Sequence, residues 1–271
     1  MSFQSTMSYI SPLVVDIFRL LRNKARGYQS ENILLNNRKW QNFYANEKVF
    51  IIANGPSLSK IDRKLFKGQK VIVMNSFEKA IWKDEVDIVA HCYAEPYCSS
   101  AWSKEHIIES ISGTNSKSYW LDYSSNDKLN KCGKKHLFHY VLPLYEANLW
   151  GKKQIHLHKP SLVYQTTAQL SIMVAFYMGF SEIALLGFDH DWLASRDYAR
   201  HFFSNEKEDT DKLGEMSYLD IINFMQRMWQ IYYKLEENAR LNNISIYNLS
   251  TSTYLDVFER REATGFILGE S

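Results

Sequence analysis

Three short apolar runs in the first third of the chain each stop abruptly at a polar or turn residue. Lys48 to Ala53 (KVFIIA) runs into Asn54-Gly55-Pro56, Lys70 to Met74 (KVIVM) into Asn75, and Val86 to Ala90 (VDIVA) into His91. Runs this short, rich in Val and Ile, read as strands buried on both faces. They recur about every twenty residues with helical or loop material between them, the pattern of parallel strands in a βαβ sheet. In such sheets ligands gather beyond the strand C-termini, so the residues that stop the runs become the first candidates for a site.

The second half carries one sharp unit. Thr166, Thr167, Ala168 and Ser171 start a small-residue helix through Ile172, Val174, Ala175 and Met178, stopped by Gly179. Glu182 to Leu186 (EIALL) then reads as a strand ending at Gly187-Phe188-Asp189. Trp192 to Asp211 is polar with scattered aromatics, the composition of a long lid or binding loop. A helical period returns from Ser217 to Leu241, closed by Asn242-Asn243, and Ile244 to Leu249 reads as a last strand. Between Ser99 and Lys159 no period is sustained; Ser118 to Leu121 and His136 to Leu142 are candidate strands, and Tyr254 to Arg260 reads as a short helix or covering loop.

Charge and cysteine content exclude several classes. With 32 Lys+Arg against 30 Asp+Glu the chain is nearly neutral, so no global field points to nucleic acid. Three cysteines (Cys92, Cys98, Cys132) without CxxC spacing give neither a disulfide framework nor a cysteine zinc site, and a cytoplasmic location is expected. No apolar run approaches the roughly 20 residues of a membrane-spanning helix. Ile10 to Arg26 alternates apolar residues with Arg19, Arg22, Lys24 and Arg26, a basic amphipathic helix that either packs on its own domain or makes peripheral contact with the inner face of a membrane.

The turn Asn54-Gly55-Pro56-Ser57 places a flexible glycine and several backbone N–H groups at a strand end, where a phosphate can sit. It is neither a Walker loop nor a GxGxxG fingerprint. The string Phe50-Ile-Ile-Ala-Asn-Gly-Pro-Ser-Leu resembles the donor-nucleotide loop of the bacterial family-42 sialyltransferases. The segment from Thr166 to Asp189 resembles their second signature, a Thr-Ser-started helix, Gly-aromatic, strand and Gly-x-Asp. Both signatures also occur in motility-associated nonulosonate transferases and in proteins similar to 6-hydroxymethylpterin pyrophosphokinase.

The fold expected is an α/β, modified Rossmann-like (GT-A-like) single domain with a mainly parallel central sheet and a lid loop, to which the periodicity of Ile10 to Arg26 adds the N-terminal helix. The resemblance implies a CMP-linked nine-carbon sugar acid as donor, a bacterial surface glycan or glycolipid as acceptor, inversion at the anomeric carbon and no metal. The corresponding organisation is an N-terminal helix and linker over 1–46, a transferase domain over 47–262 and a tail over 263–271. The family is often oligomeric, which leaves a homo-oligomer open. Asn54, Gly55, Pro56 and Ser57 fall on the phosphate loop, Asn75 on an asparagine that contacts the donor, Thr166 and Thr167 on a nucleotide-contacting pair, and Asp189 on the aspartate that ends the signature strand. Asp191 stands where the family has a tyrosine that helps hold the donor phosphate, and a carboxylate there is repulsive without a cation or proton. The family's catalytic base is a histidine beyond a lid; His201 takes that place here, closer to Asp189 than in the family.

Alternatives remain at this level. Asp189-His190-Asp191 is a DxD at a strand end, which in other transferases holds Mg²⁺ or Mn²⁺ across a UDP- or GDP-sugar diphosphate, or would serve a diphosphokinase acting on a pterin alcohol. His156, His158 and Lys159 alternate as on a strand and either meet an acidic sugar or face solvent. His91 and Glu95, just past the third run, are placed to touch donor or acceptor. Ser57 has no hydrolase elbow around it. A non-catalytic protein that keeps the fold is a further reading, since the donor-phosphate tyrosine is lost.

Overall fold

The computed structural model describes residues 32–94, 104–126, 129, 132–145, 155–191 and 217–269. The expected N-terminal helix, Glu95, the lid loop and His201 lie outside the described residues. The strands are β1 (Lys48–Ile52), β2 (Lys70–Met74), β3 (Asp87–Tyr93), β4 (Tyr119–Asp122), β5 (Phe138–Val141), β6 (Pro143–Tyr145), β7 (Ser161–Leu162), β8 (Glu182–Leu186), β9 (Ser245–Asn248) and β10 (Glu259–Arg260). The helices are α1 (Lys104–Gly113), α2 (Thr167–Met178), α3 (Tyr218–Leu241) and α4 (Ala263–Leu268), with 3-10 turns at Asn36–Trp40, Pro56–Lys60, Arg63–Phe66 and Phe77–Lys79 among others.

Eight strands form one sheet in the order β10-β9-β8-β1-β2-β3-β4-β5, and every neighbouring pair is parallel. β6 and β7 form a separate parallel pair. The chain steps from β1 through β5 toward one edge, then returns to the other side of β1 for β8, β9 and β10. Because parallel crossovers are right-handed, opposite stepping directions put the connections on opposite faces. Val49, Ile51, Ile72, Met74, Ile183 and Leu185 meet α2 and α3 on one face. Phe50, Ile52, Val71, Val73, Ala184 and Leu186 meet Phe66, Phe77, Trp82 and Ala263 on the other. Covering both faces explains why the strand runs show no alternation.

α2 is buried along its whole length. Thr166 caps its start, its Oγ1 accepting from the Gln169 N–H at 3.3 Å. Gly179 ends it at φ +90°, and Phe180 N–H reaches back to the Ala175 carbonyl at 3.2 Å. The turn at 42–46 then covers the helix end: Asn42, Tyr44 and Asn46 donate to the carbonyls of Tyr177, Met178 and Gly179.

Two expectations, on His91 and on the pair His156 and His158, are corrected. β3 continues past Ala90, so His91 lies inside the strand and not beyond it. His156 and His158 sit in a turn rather than a strand, because the Leu157 carbonyl is taken by the Asn37 side chain and not by a ladder. The segment set apart as a tail carries α4, which seats Ala263 against the core. Tyr254 to Arg260 is not helical; it ends in β10.

A Cβ at residue 179 would lie 2.8 Å from the Asn42 Cα, at a backbone conformation that side chains rarely adopt. Gly179→Ala is therefore expected to cost about 1–3 kcal/mol, read as a lowered denaturant midpoint with unchanged slope.

Candidate functional site

β1 and β8 are adjacent, and the chain leaves their C-termini in opposite directions, which makes their shared end the switch point where a crevice opens. The two strands stay bonded past the sheet. Ala53 N–H donates to the Leu186 carbonyl at 2.8 Å and Gly55 N–H to the Gly187 carbonyl at 3.0 Å. A Cβ on Gly55 would lie 2.2 Å from that Gly187 oxygen and 2.7 Å from Asp189 Cγ. Only glycine permits this approach, and Gly187, at φ +71°, gives way from the opposite side.

Asp189 holds the turn. Its carboxylate accepts from the Ser57 N–H at 2.7 Å and also from the Ser57 hydroxyl. Burial pushes the Asp189 carboxyl above its ordinary value; the two Ser57 bonds and Lys60 pull it down, and Asp191 adds to the upward push. The β8 extension is held on its far side too: Phe188 N–H donates to Ser250 Oγ at 2.9 Å, and Thr253 Oγ1 to the Phe188 carbonyl at 2.6 Å.

In this crevice Asn54 is 8% exposed, and its Oδ1 has no hydrogen-bond partner. A buried acceptor left unpaired costs about 1–3 kcal/mol, and a ligand donor would remove that cost. Beside it, Asn75 follows β2 at φ +51°. Its Oδ1 accepts from Thr167 Oγ1 at 2.9 Å, and Thr167 Oγ1 also accepts from the Ala94 N–H at 3.2 Å. One hydroxyl at the start of α2 thus joins the ends of β2 and β3. The N-terminus of α2, with its partial positive charge, is aimed at the same edge of the sheet.

His91 serves this arrangement from behind. It is fully buried, and burial drives its pKa down to about 3. The neutral ring donates Nε2–H to the Asn75 carbonyl at 2.8 Å, while Nδ1 lies 3.0 Å from Thr114 Oγ1 and 3.1 Å from the Tyr93 hydroxyl. Ser110 Oγ donates to the same Asn75 carbonyl at 3.0 Å. His91 therefore props Asn75 and does not face a ligand. Ser110, Thr114, Ser250 and Thr253 went unsingled in the sequence; only the Ser/Thr run after β9 signals any of them.

The residues do not fit a divalent ion across Asp189 and Asp191. Both Asp189 oxygens are engaged by Ser57. The intervening His190, at φ +54°, turns into the core, its Nε2 2.9 Å from the Tyr232 hydroxyl and its pKa lowered to about 4 by burial. Among the described residues no three His, Cys, Asp or Glu side chains converge as a metal site. Nor is any described helix long and apolar enough to cross a membrane.

No protein-family model and no curated protein matches the chain. Solved structures similar to it include the sialyltransferase CstII from Campylobacter jejuni with cytidine-5'-monophosphate, at 16% identity over 81% of this chain and 86% of that one, TM-score 0.47. CstII with CMP-3FNeuAc gives 16% identity over 80% and 87%, TM-score 0.47. The MAf glycosyltransferase from Magnetospirillum magneticum AMB-1 gives 12% identity over 88% of this chain and 40% of that one, TM-score 0.47. The fold assignment rests on the sheet order itself.

Hydrogen bonds to a charged acceptor contribute about 1.5–3 kcal/mol, so Ser57→Ala should lower stability by about that amount at neutral pH. Since Ser57 holds the Asp189 pKa down, its contribution is present while the carboxylate is ionised and lost as pH falls through that pKa. Denaturation of both proteins from about pH 7 to about pH 4 should show the difference shrinking; a constant difference would show that Ser57 acts independently of the charge.

Proposed function

We propose that this chain is a glycosyltransferase that binds a CMP-activated nonulosonic acid in the β1–β8 crevice and transfers the sugar to a bacterial surface glycan. The observation that carries the reading is the buried, unpartnered Asn54 Oδ1 at the switch point, within a site assembled from the two sequence blocks that resemble the family-42 signatures. Those blocks, far apart in sequence, are bonded to each other at Gly55 and Gly187. Asn75 and Thr167 meet beside them.

In this reading the Gly55 and Ser57 N–H groups stay on the Gly187 carbonyl and on Asp189, and the donor phosphate lies against the first N–H groups of α2, with Thr166 at its cap. These groups stabilise the phosphate as it leaves the anomeric carbon. Asn54 accepts from a donor group of the nucleotide. Asp189, occupied by Ser57, shapes the loop and takes no part in bonding the phosphate. The resemblance assigns His201 as the base that takes the proton from the acceptor hydroxyl, and Asp191 as the neighbour that replaces the family's tyrosine. The acceptor follows from the same resemblance, and a peripheral membrane contact is read from the basic amphipathic pattern of Ile10 to Arg26.

A thermal-shift panel over CMP, UDP, GDP and ATP, each with and without Mg²⁺, tests the reading. CMP should raise the melting temperature without metal, and Asn54→Ala or Thr167→Val should remove that response. Stabilisation by ATP alone, and only with Mg²⁺, would instead support the diphosphokinase. His201→Ala should keep the CMP response while turnover falls about 100- to 10,000-fold; undiminished turnover would remove His201 from the base role.

A further inference from the structure

A cluster of cationic side chains lies at the opposite end of α2. Arg38 lies on the Asn36–Trp40 turn, which Asn37 bonds to the 155–160 turn carrying His156, His158 and Lys159, and of these His158 meets the Tyr177 hydroxyl. The two imidazole rings are 5.4 Å apart, and His158 Nδ1 is 3.0 Å from Tyr177 Oη. Arg38 acts electrostatically on both His158 and Tyr177, and Lys159 on both imidazoles. Thr167 and Tyr177 are ten residues apart on one helix, about 15 Å at 1.5 Å per residue, so this cluster is separate from the crevice.

The cluster is built on a rigid base. Asn37, wholly buried, donates its side-chain amide to the Tyr140 carbonyl at 2.8 Å and to the Leu157 carbonyl at 2.6 Å. Its Oδ1 lies 3.1 Å from His139 Nδ1, and His139 Nε2 accepts from Trp40 Nε1 at 2.8 Å. Asn37 thereby fixes Arg38 beside the turn in which Leu157 separates the two histidines. The groups beneath are satisfied. Among the described residues, the outward groups of Arg38, His156, His158 and Lys159 have no anionic partner, and no carboxylate acts on either imidazole.

Cation-forming groups gathered on two joined turns, with no counter-charge among the described residues, repel one another, and a bound anion reverses the sign of that interaction. We infer that Arg38, His156, His158 and Lys159 form a second binding site for a tetrahedral oxyanion, the phosphate group of a ligand distinct from the donor, with His158 seated on the buried Tyr177. Arg38 supplies a planar fork of donors, Lys159 a point charge, and each imidazole an N–H that becomes a full cation on protonation. Burial, followed by the neighbouring cations, lowers both imidazole pKa values. An anion between them favours the imidazolium, so binding tightens as pH falls through those pKa values.

Histidine ring protons of the full chain, followed by NMR from about pH 5 to about pH 8, test the site. Sulfate, which keeps its charge over that range, is compared with chloride at equal ionic strength. Both imidazole pKa values should rise in sulfate, and sulfate should bind up to about tenfold tighter per pH unit where an imidazole is titrating. Arg38→Ala and Lys159→Ala, both exposed, should abolish the rise with little change in melting temperature. Identical titrations in the two salts, or a sulfate response that survives both substitutions, would overturn the site. Inorganic phosphate and phosphatidylglycerol vesicles, with phosphatidylcholine as control, then separate the sources. Vesicle binding lost in the variants assigns a lipid headgroup, a phosphate response without vesicle binding assigns a soluble phosphate, and silence in both rejects the proposal. None of these readouts depends on CMP binding or turnover.

Discussion

The backbone contact between Gly55 and Gly187 is the constraint on which the crevice depends. It carries the β1–β8 pairing beyond the last ladder pair, Ile52 with Leu186, so both strand extensions are fixed before any side chain is considered. Asp189 can reach Ser57 only because Gly55 leaves no Cβ between them. Fixing Ser57 fixes the start of the Pro56–Lys60 turn, and with it the position of Asn54.

A second layer of polar groups holds the neighbouring strand ends. Asn75 adopts a left-handed backbone that few residues other than glycine tolerate, and the cost is offset by bonds to its carbonyl from His91 and Ser110 and to its side chain from Thr167. A neutral imidazole suits this position because one nitrogen donates while the other accepts. The same logic recurs at His139, where Trp40 and Asn37 engage the two nitrogens. Among the described residues the buried histidines are hydrogen-bonded spacers, whereas His156 and His158 are partly open to solvent.

The central strands β1, β2 and β8 were legible because burial on both faces leaves uninterrupted apolar runs, and α2 because Thr166 and Gly179 mark its ends. The limits of that reading are equally physical. α1 packs only Ile107, Ile111 and their neighbour Ile108 inward, too few to impose a period on a polar segment. His91 reads as a stop because an imidazole is polar, yet three partners let it continue the strand inside the core. The alternation of His156, Leu157 and His158 imitates a strand, since a tight turn with one buried residue gives the same in-out pattern. The crevice residues Asn54, Gly55, Asn75, Thr167 and Asp189 could be named in advance because they stop strands or start helices. Their mutual bonds could not, since no local pattern encodes which strand ends become neighbours.

An all-parallel sheet whose first strand pairs with β8 also shapes how the chain reaches its native state. Lys48 pairs with Glu182, so the side of β1 away from β2 stays open until β8 has been made. Until then one edge of β1 presents unpaired amides and carbonyls flanked by Val, Phe and Ile. Long-range parallel pairing of this kind slows folding and lengthens the exposure of adhesive edges. During synthesis, that open side of β1 waits on the later half of the chain for its partner strand.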